Sequence, residues 1–154
     1  DLAAEACIQA GVPLTLVGEG ELDGRLREAG GDLRLAGWCS RTEILDHANR
    51  ARALIVPSRV VEPFGLVIVE AAMSGLPVIV SDRAYLAGDC QRLGFGQSFD
   101  PAVPGSLAEL VARIATDDAT VARMSGNGFA HANELALSIS EWSARFIGLF
   151  RGNL

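Results

Sequence analysis

The chain is poor in everything that would mark a metal, nucleic-acid or membrane protein. It has three cysteines, Cys7, Cys39 and Cys90. They lie far apart, are odd in number and show no C-x2-C spacing, so no metal-ligand cluster is visible. They read as small buried thiols in a reducing compartment, and the expected location is cytoplasmic. Basic residues number 13 against 19 acidic ones, for a net charge of −6, and the basic ones are scattered singly. Nucleic acid needs clustered Lys and Arg, which excludes it as the main partner. No apolar run reaches the roughly 18 residues of a membrane span. There is no internal repeat and no low-complexity tract. The chain begins Asp-Leu-Ala, with no Met, basic n-region or cleavage signature, and is expected to be an excised part of a longer protein.

What is present fits one α/β domain. A length of 154 residues, 49% hydrophobic content and 17 glycines suit a real core joined by many tight βα turns. The informative stretch is Leu54 to Val80. It holds two apolar runs of strand character, Leu54–Val56 and Pro77–Val80. Between them, Phe64 to Ser74 is apolar apart from Glu70 and Ser74. That run is too long for a strand and reads as a buried helix starting near Phe64. Gly75 ends it and Pro77 prevents its continuation. The unit is strand, loop, helix, strand, a parallel βαβ crossover.

Glu70 is the odd residue in that unit. Its helical neighbours are Leu66, Val67, Met73 and Ser74, so it does not belong to a solvated charged face. A carboxylate in such surroundings is expected to be held off solvent by a hydrogen-bonding partner. Glu62 stands eight residues earlier, in the loop feeding the helix. The helix start lies between the two acids and offers free N–H groups to an anion, and Gly65 permits close approach to the backbone. Hydroxyl acceptors at both ends with an anion seat between them match a nucleotide-diphosphate sugar.

Glu62-Pro63-Phe64-Gly65-Leu66, with Glu70 and Gly75-Leu76-Pro77-Val78, resembles the E-x7-E motif of family 4 retaining glycosyltransferases, which have the GT-B fold. The resemblance implies that Glu70 holds the ribose hydroxyls of the donor and that Glu62, the candidate catalytic residue, contacts the donor sugar. It also implies that Phe64, Gly65 and Leu66 meet sugar and diphosphate through their backbone. The donor would be a UDP-, GDP- or ADP-sugar, with no cofactor. The likeness runs over essentially the whole chain, as the C-terminal, donor-binding half. Its partner would be the acceptor-binding N-terminal GT-B domain. The family's first strand of this half, and the basic residue after it that meets the diphosphate, would precede Asp1. A longer chain or a second chain is expected to supply that central strand. Direct pairing of the strands near Val12 and Leu54 would show a rearranged sheet instead. The family's Gly-Gly-x-x-Glu segment is also missing, since Arg83 to Asp89 reads RAYLAGD.

The remaining elements follow local signals. A helix is expected over Asp1–Ala10 and a strand over Val12–Val17, followed by Gly18-Glu19-Gly20. A lone GxG after a strand is a weak nucleotide signal or simply a tight turn. A short surface helix over Glu21–Ala29 and a strand over Asp32–Ala36 lead to Gly37-Trp38-Cys39. Trp38 and Cys39 sit where the crevice rule for open α/β sheets places a nucleobase. An equal reading of Trp38 is the closed edge of a core. Ser40 and Glu43 form a capping box that opens a helix to about Asn49. His47 on that helix reads as a surface or rim residue, as does His131 further on. Gly96 to Phe99 is a fifth strand, while Ser81 to Gln91 has no clear pattern. Three helices close the chain: Ser106–Ala115 with Leu107, Leu110, Val111 and Ile114 on one face, a glycine-weakened one over Asp118–Glu134, and Ser138–Arg151 with a second capping box. The expected whole is α/β, a Rossmann-like parallel sheet with helices on both faces, the C-terminal half of a GT-B fold.

The expected function is donor binding in a retaining glycosyltransferase that moves a sugar to an acceptor hydroxyl in glycan or polysaccharide synthesis. Alone, this domain is expected to bind donor weakly and turn over nothing. Two alternatives stay open. One is a sugar-nucleotide epimerase or hydrolase in which Glu62 and Glu70 act as an acid/base pair. The other is a non-catalytic interaction module that docks through Trp142, Phe146 and Phe150 on the last helix.

Overall fold

A computed structural model describes residues 1–136 and 138–151. The elements in order are α1 (Leu2–Ala10), β1 (Leu14–Val17), α2 (Asp23–Glu28), β2 (Leu33–Gly37), α3 (Arg41–Arg50), β3 (Leu54–Val56) and α4 (Leu66–Met73). They continue with β4 (Val78–Ser81), α5 (Ala87–Arg92), β5 (Gly96–Phe99), α6 (Ser106–Thr116), α7 (Asp118–His131), a 3₁₀ turn (Ala132–Glu134) and α8 (Ile139–Phe150). This is the alternation read from the chain, and the patternless stretch after Ser81 supplies a turn and α5.

Local signals set most boundaries. Ser40 and Ser138 each cap a helix and are bonded back by Glu43 and Glu141, so both capping boxes are formed. After α4, Leu76 N–H reaches Ala71 O and Gly75 N–H reaches Ala72 O, each at 2.9 Å, a Schellman closure with Gly75 left-handed. The face of α6 expected from periodicity, Leu107, Leu110, Val111 and Ile114, is wholly buried.

All strand pairs are parallel. β4 runs between β3 and β5 with all four residues buried. Its side chains alternate between two cores, as the pleat requires. Val78 and Val80 enter a cluster with Val56, Ile68, Leu86 and Phe95 on the α4/α5 side. Ile79 faces the other way, into a cluster with Cys7, Phe99, Leu110 and Ile114 under α1 and α6. The sheet therefore carries helices on both faces.

The strands fall into two sheets, β1-β2 and β3-β4-β5, as expected if the central strand between them comes from outside this chain. β1 and β3 are not paired with each other, so the sheet is not rearranged, and each keeps an edge without a partner strand among the described residues. Both still pack onto the same core, through Leu14 and Ile55. One boundary is corrected, the start of α4. It starts at Leu66, with Gly65 as its left-handed N-cap at φ 78°, so Phe64 lies in the preceding loop. That φ is in the region glycine enters freely and side-chain-bearing residues avoid.

Candidate functional site

The candidate residues lie in the loops at the carboxyl ends of β1, β2 and β3 and, for Leu66 and Glu70, on α4, on the ligand-binding side of an open parallel sheet. They form two clusters. In the first, Gly18 N–H donates to Gly37 O at 2.8 Å and ties the loop after β1 to the loop after β2. Glu19 Oε1 accepts from Trp38 N–H at 3.4 Å across the same junction. Trp38 is 84% exposed, which rules out the core-edge reading. Cys39 is half-buried, and its thiol turns back towards Gly37 O at 3.6 Å. It is thus not one of the buried thiols expected, although Cys7 and Cys90 are. Gly18 also lines an open cleft of about 460 Å³ with Leu16, Leu22 and Leu26. A smaller cavity of about 70 Å³ lies between α1 and α2, bordered by the same Leu22 and Leu26.

The second cluster surrounds Glu62. Its carboxylate Oε2 accepts from Ser58 Oγ at 2.6 Å. Its backbone is stitched to the loop after β4: Glu62 N–H donates to Arg83 O and Tyr85 N–H donates to Glu62 O, each at 3.3 Å. Arg83 is in turn held by Asp82 at 3.3 Å and Asp100 at 3.7 Å. Phe64 and Tyr85 pack with ring centroids 6.3 Å apart. Gly65 is hemmed in, since a Cβ there would stand 2.9 Å from Ile68 Cδ1 and 3.5 Å from Glu62 Oε1. Leu66, the first helical residue, is 68% exposed. The backbone amides of Leu66 and Val67, in the first turn, have no intrahelical acceptor.

Glu70 is not where the sequence placed it. It is exposed, together with Leu66, Val67 and Met73 around it. The reason is geometric. An eight-residue helix against a sheet buries one stripe, and here that stripe is Ile68, Val69, Ala71 and Ala72. Apolar neighbours therefore did not imply burial. They make an exposed apolar stripe with one carboxylate, which makes no hydrogen bond or ion pair among the described residues. Glu70 is the fifth residue of α4, about 6 Å along the axis from the helix start at 1.5 Å per residue.

Sequence reasoning missed Ser58, Arg83 and Tyr85. Ser58 had a faint signal, standing four residues before Glu62 in the same loop. Tyr85 had none, because the contact between the two loops is not local. Among the described residues no group of three His, Cys, Asp or Glu side chains could hold a metal ion, and no helix is long and apolar enough to cross a membrane.

Parallel strands, helices on both faces and candidate residues towards the strand carboxyl ends define a Rossmann-like domain. The chain belongs to the glycosyl transferases group 1 family, whose profile matches residues 4–131. It is similar to glycogen synthase of Mycobacterium tuberculosis, with 34% identity over 119 residues, 73% of this chain and 28% of that protein. Among solved structures, sucrose-phosphate synthase from Thermosynechococcus elongatus superposes with a TM-score of 0.78 at 24% identity, over 98% of this chain and 41% of that one. HepE from Anabaena, solved in complex with UDP and glucose, superposes with a TM-score of 0.79 at 23% identity, over 99% and 44%. This chain thus spans less than half the length of each of these relatives.

Proposed function

We propose that this chain is the donor-binding half of a retaining, family 4 glycosyltransferase that takes a hexosyl group from a nucleotide-diphosphate sugar. The observation that carries the proposal is the second cluster. A fixed carboxylate, Glu62, stands beside the glycine-capped start of α4, at the carboxyl edge of a parallel sheet, within the stretch that matches the family. The complex of HepE with UDP and glucose, and the sugar-polymer and sugar-ester products named for the other relatives, support a nucleotide-sugar donor.

In this proposal the sugar lies against Glu62 and Phe64. The diphosphate rests on the free amides of Leu66 and Val67, where the helix dipole offsets the negative charge gathering on the departing group. Glu70 accepts the ribose diol. Its open carboxylate suits that role, and the role no longer rests on burial. Trp38, Cys39 and Gly18 flank the base. One strand between the free edges of β1 and β3, supplied from outside this chain, would join the two sheets and the two clusters. The acceptor-binding domain is the proposed partner of α8. On that helix Trp142 and Phe146 stack at 4.9 Å, Phe146 meets Phe150 at 5.0 Å, and all three are exposed. The same aromatic face is what favours the second reading, a docking module without catalysis. Residence in the cytoplasm belongs to the proposal.

A thermal-shift panel of UDP-, GDP- and ADP-sugars on wild type and Glu70→Ala tests it. The expected result is a rise in midpoint with one nucleotide class that disappears in the variant. No rise with any of them in the wild type would overturn donor binding and favour the docking module. A rise unchanged in Glu70→Ala would remove Glu70 from the site.

A further inference from the structure

Glu62 is not free to swing. The hydroxyl of Ser58 has one hydrogen, and it is committed to Glu62 Oε2 at 2.6 Å, a length typical of a hydroxyl bound to a carboxylate. The backbone bonds to Arg83 and Tyr85 fix the Glu62 main chain from the other side. With both ends held, the second oxygen, Oε1, is left beside Gly65 at the start of α4.

Given the donor-binding function proposed for this chain, we infer that Ser58 is a positioning residue for the donor sugar: by anchoring Oε2 it presents Oε1 of Glu62 to a ring hydroxyl. Ser58 is half-buried and acts through Glu62. A glutamate without this anchor keeps its rotamer freedom until the sugar arrives. Ordering it then costs affinity on the order of one immobilised long side chain. The anchor places that ordering in the fold, before binding. Its effect must therefore fall on the sugar and spare the nucleotide, which other residues hold.

The test is calorimetric titration of the full chain, as wild type, Ser58→Ala and Ser58→Thr, with UDP, GDP and ADP and with the glucose conjugate of each. Wild type is expected to bind one glucose conjugate more tightly than the bare diphosphate. Ser58→Ala is expected to lower that preference by roughly two- to tenfold, the effect of one ordered side chain, with the diphosphate affinity unchanged. Ser58→Thr, which keeps a hydroxyl, is expected to retain the preference. Thermal midpoints report whether each variant is folded. An unchanged preference in Ser58→Ala overturns the inference. So does equal weakening of diphosphate and conjugate, or a folded Ser58→Thr that behaves like Ser58→Ala. A wild type that binds a diphosphate without preferring its conjugate also overturns it, leaving nucleotide binding intact. A wild type that binds no nucleotide overturns donor binding itself, and this inference with it.

Discussion

Gly128 of α7 lies against the carbonyl of Ala72 in α4, so close that a Cβ on Gly128 would come within 2.6 Å of that oxygen. Glycine at this crossing lets two helices touch backbone to backbone, and α7 runs unbroken from Asp118 to His131 through both of its glycines. Two substitutions on one helix should therefore act in opposite directions. Gly126, where an added methyl would meet nothing within 4 Å, should gain up to about 1 kcal/mol on replacement by Ala, from helix propensity alone. Gly128→Ala should lose about 1–3 kcal/mol through overpacking. Urea unfolding of the two variants beside wild type reads both signs.

Thiol chemistry should single out Cys39. Cys7 and Cys90 are buried; burial pushes both thiols up, and that of Cys90, with a smaller contribution from the Asp89 charge, to about 12. Thiolate is the reacting form, so these two should stay silent in the folded chain. A coloured disulfide reagent should report one fast thiol in native protein and all three in denaturant. Cys39→Ser should abolish the native signal. Fast reaction of Cys90 in the folded state would contradict the core described around it.

The capping boxes make a pH prediction. The Ser40 hydroxyl, and then the Ser40 N–H, hold Glu43 below the usual carboxylate range, and Ser138 does the same for Glu141. A lowered folded value means the unfolded chain binds protons more readily, so stability is fully present above the unfolded value of about 4.3. It is lost as pH falls through the lower folded value. Glu43→Ala and Glu141→Ala should each be less stable than wild type at neutral pH, and the gap should close below about pH 4. Urea midpoints across pH follow the difference.

Hydrogen exchange should rank the strands. β4 is paired on both sides and fully buried, whereas β1 and β3 each keep one edge without a partner strand among the described residues. Amides of Ile79 and Val80 should be the slowest, and those of β1 should exchange well before them. Equal protection in β1 and β4 would show that the edge of β1 is covered.

Much of this was legible because it is local. A capping box joins residues three apart, a Schellman turn joins residues five apart, and α6 announced its buried face by spacing. Tyr85 and Glu62 are 23 positions apart in the chain, and no periodicity connects them, so the stitch between their loops could not be read. Ser58 was overlooked because a serine before a loop acid has many ordinary uses. Glu70 shows the opposite failure. Its neighbours were identified correctly, yet apolar neighbours on a helix show which residues share a face and not what covers it.

From residue order alone came the alternation of helices and strands, the βαβ unit around Leu54–Val80 and the family resemblance carried by Glu62, Phe64, Gly65 and Glu70. These depend on contacts within a few positions, where backbone geometry dictates who meets whom. Tertiary structure alone decided that Trp38 and Glu70 stand open and that Glu62 is pinned by Ser58. Those outcomes rest on which distant surfaces pack together, and a pattern of spacings does not contain them.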